Sequence, residues 1–292
     1  MSETTYTDNT AVTLKPGEFR QISDLAYERF GLDLKQGKEA LVAARLGKKL
    51  RKGGFQSFSD YYRHVVSDAT GEALIELIDS LSTNHTSFMR ERAHFEFLVR
   101  AAAEEFRQVR TLEIWSAASS TGEEPYSIAM TLHDAFRAGG GKLERSFRIF
   151  ATDISTRVLG IARRGVYEAE RLRDLPESWR KAYFLRGQRD CSGYAKIKPE
   201  LAAHVEFQRL NLIEPFTHGR RLQFIFCRNV MMYFDKARQQ DIVQRLSECL
   251  EPGGYLFVGH SESLTGIQHD LKYARPAVYR KEKSAGGLRV WQ

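Results

Sequence analysis

The chain has 292 residues, 42% of them hydrophobic and 28% charged, which suits about two domains with a core each and excludes disordered, collagenous and fibrous classes. Lysine plus arginine number 44 against 37 aspartate plus glutamate, so an acidic partner is expected: nucleic acid, an anionic membrane surface or an acidic protein. The polar start MSETTYTDNT carries no secretory signal, no apolar run reaches the ~18 residues of a membrane helix, and Cys191, Cys227 and Cys249 lack CxxC spacing, which points to a reducing cytoplasm and away from disulfides or zinc.

Residues 1–15 read as a flexible tail. From Pro16 to about residue 80 the pattern is helical, punctuated at Gly31, Gly37 and Gly53-Gly54. Within it, Val42, Leu46 and Leu50 form one apolar stripe of a helix running from Lys38 to Lys52. Lys38, Arg45, Lys48, Lys49 and Lys52 gather beside that stripe, and Glu39 is the sole acid between Lys38 and Lys52. Intrahelical pairing therefore leaves most of this charge unanswered, and an acidic docking partner is expected there.

Residues 81–95 read as a linker, and from Thr111 short apolar strands alternate with helices. Strands are predicted at Leu112–Ala117, Phe147–Thr152, Val205–Leu210, Leu222–Cys227 and Gly254–Gly259, and helices at Thr121–Arg137, Ser155–Arg163 and Asp235–Leu250. This alternation predicts βαβ units and an open, mostly parallel sheet. Residues 166–204 break the rhythm with Arg186-Gly187, Ser192-Gly193 and the alternating Tyr194–Lys198, which predicts a small antiparallel insert. The second domain then spans 96–292.

In such sheets ligands bind beyond the carboxyl ends of the strands. Trp115–Tyr126 follows the first strand with small residues but without GxGxxG, which fits a dinucleotide poorly. Its Ser120-x-x-Glu123 also reads as a capping box. Asp153 ends the second strand, placed either to accept ribose hydroxyls or to cap the helix near Ser155. Asn211-Leu212 suits an adenine edge and face but equally an ordinary turn. Arg228-Asn229 interrupts an apolar run after a buried strand, where unpaired polar groups would be costly. Asn84–Glu91 lies in the linker and is rich in hydrogen-bonding groups. The eight histidines show neither HxxxH nor HExxH, so no metal site is expected, and GHSES around Ser261 lacks the closing glycine of GxSxG.

Taken in order, STNHTSFMRE (82–91), WSAASSTGEEPYS (115–127), FATDIS (150–155), FIFCRNVMMYFD (224–235) and LEPGGYLFVGHSES (250–263) resemble the chemotaxis receptor methyltransferases, the CheR family. The resemblance implies a helical receptor-docking domain over 16–80, a linker contributing to the cofactor site, and a Rossmann-like α/β methyltransferase domain with an antiparallel β-subdomain insert. It implies S-adenosylmethionine as cofactor and glutamate side chains of chemoreceptor cytoplasmic helices as substrate, converted to methyl esters by a cytoplasmic, monomeric enzyme that uses neither nucleic acid nor membrane insertion. Carried over by motif, the cofactor contacts are Asn84, Thr86, Arg90, Glu124, Asp153, Asn211, Leu212, Asn229 and Val230. Arg90 and Tyr233 stand at the reacting end, and Lys38, Arg45, Lys48, Lys49 and Arg51 are the receptor contacts. An ionised glutamate needs no general base at neutral pH, which agrees with the lack of a His-Asp or Cys-His pair.

Two departures stand out. Gln223 replaces an aspartate that many relatives carry, with little effect expected at the site. The insert reads Arg186-Gly187-Gln188-Arg189-Asp190 where family members that tether to a receptor's C-terminal pentapeptide by strand addition carry GxG, so no pentapeptide binding is expected. The competing readings are an NAD-dependent oxidoreductase, a nucleic-acid methyltransferase with Cys227 as its nucleophile, a non-catalytic signalling adaptor on the same fold, and a methyltransferase acting on another acidic partner.

Overall fold

The computed structural model describes residues 12–82, 85–138, 146–217 and 219–283. The chain divides into two compact units, residues 1–83 and 84–292.

The first unit is helical: α1 (Pro16–Phe30), α2 (Glu39–Gly53), α3 (Phe58–Ser67) and α4 (Glu72–Leu81). Pro16 opens α1, where its missing N–H costs nothing, and Gly31 closes it at φ 71°. Glu18 is buried and accepts from Ser59 N at 2.9 Å and Ser59 Oγ at 2.8 Å, which ties α1 to the start of α3. The predicted stripe of α2 is fully buried at Val42, Leu46 and Leu50. At about 1.5–3 kcal/mol for each such side chain, it is the main reason α2 holds its place.

The second unit begins with α5 (Ala93–Glu104), which the sequence pattern did not reveal. It continues with β1 (Thr111–Ser116), α6 (Glu123–Ala138), β2 (Ser146–Asp153), α7 (Thr156–Arg164), β3 (Val166–Glu168), α8 (Glu177–Tyr183), β4 (Phe184–Arg186), β5 (Tyr194–Ile197) and α9 (Pro199–Ala202). It ends with β6 (Val205–Arg209), β7 (Leu222–Phe226), α10 (Lys236–Cys249), β8 (Leu250–Phe257), β9 (Leu271–Arg275) and β10 (Val278–Lys281). The main sheet has the order β6-β2-β1-β7-β8-β10-β9. It is parallel from β6 through β8, and β10 runs antiparallel to both β8 and β9. The insert is a separate antiparallel sheet, β3-β5-β4.

Alternation along β1 sorts the two cores. Leu112 and Ile114 face α5, α6 and the insert, together with Phe226 and Phe257, whose rings stack at 4.2 Å. Trp115 faces the other way, in the core that α10 closes with Ile242, Val243 and Leu246. Cys227 lies fully buried there, and burial pushes its thiol pKa well up, so the nucleophile that a nucleic-acid methyltransferase would need is not available at this position.

Two differences from the expected strands have local causes. The strand predicted at Gly254–Gly259 begins at Leu250, because the Pro252-Gly253-Gly254 stretch that reads as a turn is absorbed by a register shift opposite Leu222 and Phe224. Gln223 fills that irregularity: its Oε1 accepts from Glu113 N and its Nε2 donates to Glu251 Oε2, both at 2.7 Å. The β9–β10 hairpin was missed because its strands are short and interrupted by charged residues, and because Pro276-Ala277 carries no glycine; Ala277 itself takes the left-handed φ of 60°.

Candidate functional site

The chain leaves β1 for β2 on one side and returns beside β1 at β7 on the other. Strand order reverses there, so the carboxyl ends of β1 and β7 open on a crevice. The loop after β1 is drawn toward β2: Ser119 N donates to Thr152 O and Ser120 N to Asp153 Oδ2, each at 2.9 Å. Asp153 Oδ1 accepts from Ser155 N at 3.0 Å, but the cap of α7 is Ser155, whose Oγ accepts from Val158 N. Asp153 is thus not the helix cap; it stands at the strand end and shapes the loop.

The capping-box expectation for Ser120 and Glu123 fails for a similar reason. The helix begins at Glu123, two residues too late for Ser120 to be its cap. The Ser120 N–H is taken by Asp153, and Glu123 turns its carboxylate to Thr121 Oγ1 at 2.6 Å and to Arg171 at 2.8 Å.

Arg228 is the hub of the crevice. Only 5% exposed, it donates through Nη1 to Glu124 Oε2 at 2.8 Å and through Nη2 to Glu91 Oε2 at 3.0 Å and the Arg90 carbonyl at 2.6 Å. Glu124 Oε1 accepts from Ser116 Oγ at 2.7 Å. Burial alone would raise the Glu91 carboxyl pKa, but Arg228 and the His260 N–H outweigh it and hold it below the usual range. Glu91 Oε1 also takes Asn229 Nδ2 at 3.4 Å and His260 N at 3.1 Å. Glu262 secures the other side: its Oε2 accepts from Asn229 N at 2.7 Å and Gly259 N at 2.6 Å. A side chain at Gly259 would collide with Asn229 and Glu262, so the glycine is a packing requirement.

Met89, Glu91, Ser120 and Asn229 all take left-handed φ angles of 57°, 58°, 47° and 57°. Such conformations cost about 1–3 kcal/mol in a non-glycine residue and gather at functional sites. Glu91 and Asn229 are joined by a hydrogen bond, and Ser120 is held by Asp153 in the loop after β1.

Arg90 is half-buried, with Nη1 donating to the His85 carbonyl at 2.8 Å. Thr86 offers its carbonyl to Arg171 Nη2 at 3.3 Å. Asn84 lies outside the described residues. Residues 85–95, read as linker, are turns and the start of α5 within the second unit. Asn211 follows β6 and turns its side chain inward on its own loop, giving Nδ2 to Glu214 Oε1 at 3.0 Å and taking Ile213 N at 3.3 Å; Leu212 is buried beside it. Val230 and Tyr233 bracket a single helical turn directly after Asn229, with Tyr233 N donating to Val230 O at 3.1 Å.

In the helical unit, Lys38, Lys48 and Arg51 are exposed. Arg45 instead donates to the Leu81 carbonyl, and Lys49 pairs with Glu76. These two charges are partly engaged within their own unit.

The donor set fits an S-adenosylmethionine cofactor. Asp153 stands at the end of β2, where a carboxylate of this kind accepts ribose hydroxyls. Ser119 Oγ, in the loop after β1, is buried without a hydrogen-bond partner among the described residues, as a polar atom awaiting a ligand would be. Glu91, His94 and His260 bring ligand-type atoms within 4.8 Å of one another, a grouping in space that has neither HxxxH nor HExxH spacing in the chain. The Glu91 oxygens, however, already accept from Arg228, Asn229 and His260.

Sequence reasoning missed Glu91 and Glu262 as anchors, although both sit inside the quoted motifs. It noticed Arg228 as an intruder in an apolar run but could not see its partners, which lie 137 and 104 residues away.

Among the described residues, no helix is long and apolar enough to cross a membrane. Residues 17–82 match the family described as "CheR methyltransferase, all-alpha domain", and residues 84–279 match "CheR methyltransferase, SAM binding domain". The chain is 40% identical over 263 residues to "Chemotaxis protein methyltransferase 2" of Pseudomonas aeruginosa, covering 90% of this chain and 92% of that one. It is 39% identical over 273 residues to "Chemotaxis protein methyltransferase" of Escherichia coli, covering 93% of each. The corresponding Klebsiella aerogenes protein is 41% identical over 273 residues, with 92% of each chain covered.

Proposed function

The chain belongs to the CheR methyltransferase family, and from that premise we propose that it methylates glutamate side chains on the cytoplasmic helices of chemoreceptors, in the cytoplasm, as a monomer. The observation that carries the proposal is the convergence of the motif segments on one crevice: Arg90, Glu124 and Asn229 are joined through Arg228 and Glu91, and Asp153 anchors the neighbouring loop. In this reading Thr86, Arg90, Glu124, Asp153, Asn211, Leu212, Asn229 and Val230 hold S-adenosylmethionine, with Asn84 at the head of the first segment.

When bound, the cofactor supplies an electrophilic methyl group on a positively charged sulfur. The acceptor glutamate is already ionised at neutral pH, so the protein has no proton to remove. Its tasks are alignment and the exclusion of water, because water stabilises the separate charges that vanish during transfer. Arg90 orients the acceptor carboxylate by charge-assisted hydrogen bonds, and Tyr233 shapes the reacting end. Arg228 gives Arg90 a fixed backbone by holding its carbonyl.

Lys38, Lys48 and Arg51, with Arg45 and Lys49 beside them, form the basic surface that meets acidic receptor helices. No pentapeptide tether is expected. β4, at the edge of the insert sheet, is three residues long and offers an added strand few backbone partners.

The test is transfer of labelled methyl from S-adenosylmethionine to a chemoreceptor cytoplasmic fragment, followed by mild alkali. Release of label as methanol is the expected result. An absence of label, or label stable to alkali, would overturn the glutamate assignment.

A further inference from the structure

Glu123 is fully buried at the first turn of α6, and the cation that answers it comes from the insert. Arg171 lies in a single helical turn, Ala169–Leu172, anchored by buried Leu172. Its Nη2 stands 2.8 Å from Glu123 Oε1 and 3.3 Å from the Thr86 carbonyl. One side chain thus bridges the start of α6 and the segment proposed to hold the cofactor. A second set of contacts joins the same parts. The Phe88 ring packs edge-on against Tyr167 at 5.0 Å and Phe184 at 5.6 Å, both from the insert. Tyr167 Oη donates to the Thr121 carbonyl at 2.8 Å, and a side chain at Gly122, φ 97°, would meet Tyr167 Oη at 2.9 Å.

We propose that Arg171 is a positioning residue for the cofactor site, so that the insert is one wall of that site and its placement sets the affinity for S-adenosylmethionine. The inference rests on the reading of Thr86 as a cofactor contact. The physical basis is that residues 85–87 have no helix or strand to hold them. Their geometry follows from side-chain anchors: Arg90 on the His85 carbonyl at 2.8 Å and Arg171 on the Thr86 carbonyl at 3.3 Å. The Glu123 carboxylate restrains the guanidinium, since a buried carboxylate without its cation is costly.

The test measures binding of S-adenosylhomocysteine by calorimetry, together with thermal unfolding, on the full chain. Arg171→Met is expected to weaken binding about tenfold, the size of one charge-assisted hydrogen bond, and to lower the unfolding temperature. The double variant Glu123→Gln with Arg171→Met removes the buried charge as well. It is expected to recover the unfolding temperature while binding stays weak, because the Thr86 carbonyl still lacks its donor. Arg171→Lys should recover part of the binding. Wild-type affinity in the double variant would overturn the proposal by reducing Arg171 to a stabilising ion pair. Wild-type affinity in Arg171→Met would overturn it outright. Thr86→Val serves as the control: if it binds as tightly as the wild type while Arg171→Met binds weakly, the cofactor assignment of Thr86 fails and the inference falls with it.

Discussion

Replacing Arg228 with methionine removes the cation from the centre of the crevice. The Arg228 side chain is 2% exposed, and its partners Glu91 and Glu124 are 12% and 11% exposed. Breaking a buried ion pair from one side costs about 3–5 kcal/mol, because a charge is left uncompensated. For a unit of this size each kcal/mol lowers the unfolding temperature by about 2–4 °C, so the loss should be about 6–20 °C. The Arg90 carbonyl and the face of Phe95, 5.7 Å from the guanidinium, lose contacts as well. The assay is thermal unfolding of the full chain by circular dichroism at pH 7. A further variant that also carries Glu91→Gln and Glu124→Gln should recover a large part of the loss, since no buried carboxylate is then left alone. A shift below about 2 °C in Arg228→Met, under one kcal/mol by the same conversion, would refute the picture of a charge-bearing hub.

Other changes separate chemistry from stability. Arg90→Ala should reduce methyl transfer far more than it lowers the unfolding temperature, and proportional losses in both would reject its role at the acceptor carboxylate. His94 is buried, and burial first, with Arg228 second, lowers its pKa from 6.5 to about 3. The unfolded chain therefore binds a proton that the folded chain refuses, and stability is lost as the pH falls from 6.5 toward 3. Between pH 6 and 5, His94→Phe should flatten the slope of unfolding free energy by about 1.2 kcal/mol per pH unit, and an unchanged slope would contradict the assignment. Lys48→Glu on the exposed face of α2 should raise the KM for a receptor fragment, most at low salt; an unchanged KM would move the docking surface elsewhere.

Local pattern carried a good part of the architecture. The α2 stripe, the five parallel strands and the antiparallel insert each follow from short-range periodicity, which is why they could be read from residues alone. Elements with weak local signal escaped: α5, which follows a stretch that resembles a linker, and the β9–β10 hairpin, whose turn lacks glycine. The site was legible as motifs and illegible as a network. Asp153 could be placed at a strand end, but only the register of β2 against β1 shows it drawing in Ser120. Arg228 pairs with Glu91 and Glu124 across separations that no window of sequence spans. Arg171 carried no signal, because its value comes from an insert folding back on α6.

The most direct test of the central claim is peptide mapping by tandem mass spectrometry of a receptor cytoplasmic fragment after incubation with this protein and S-adenosylmethionine. The account predicts a methyl group on glutamate side chains, lost on mild alkali and absent when Arg90→Ala replaces the wild type. Methylation confined to lysine, the amino terminus or another nitrogen would contradict it, as would an unmodified fragment.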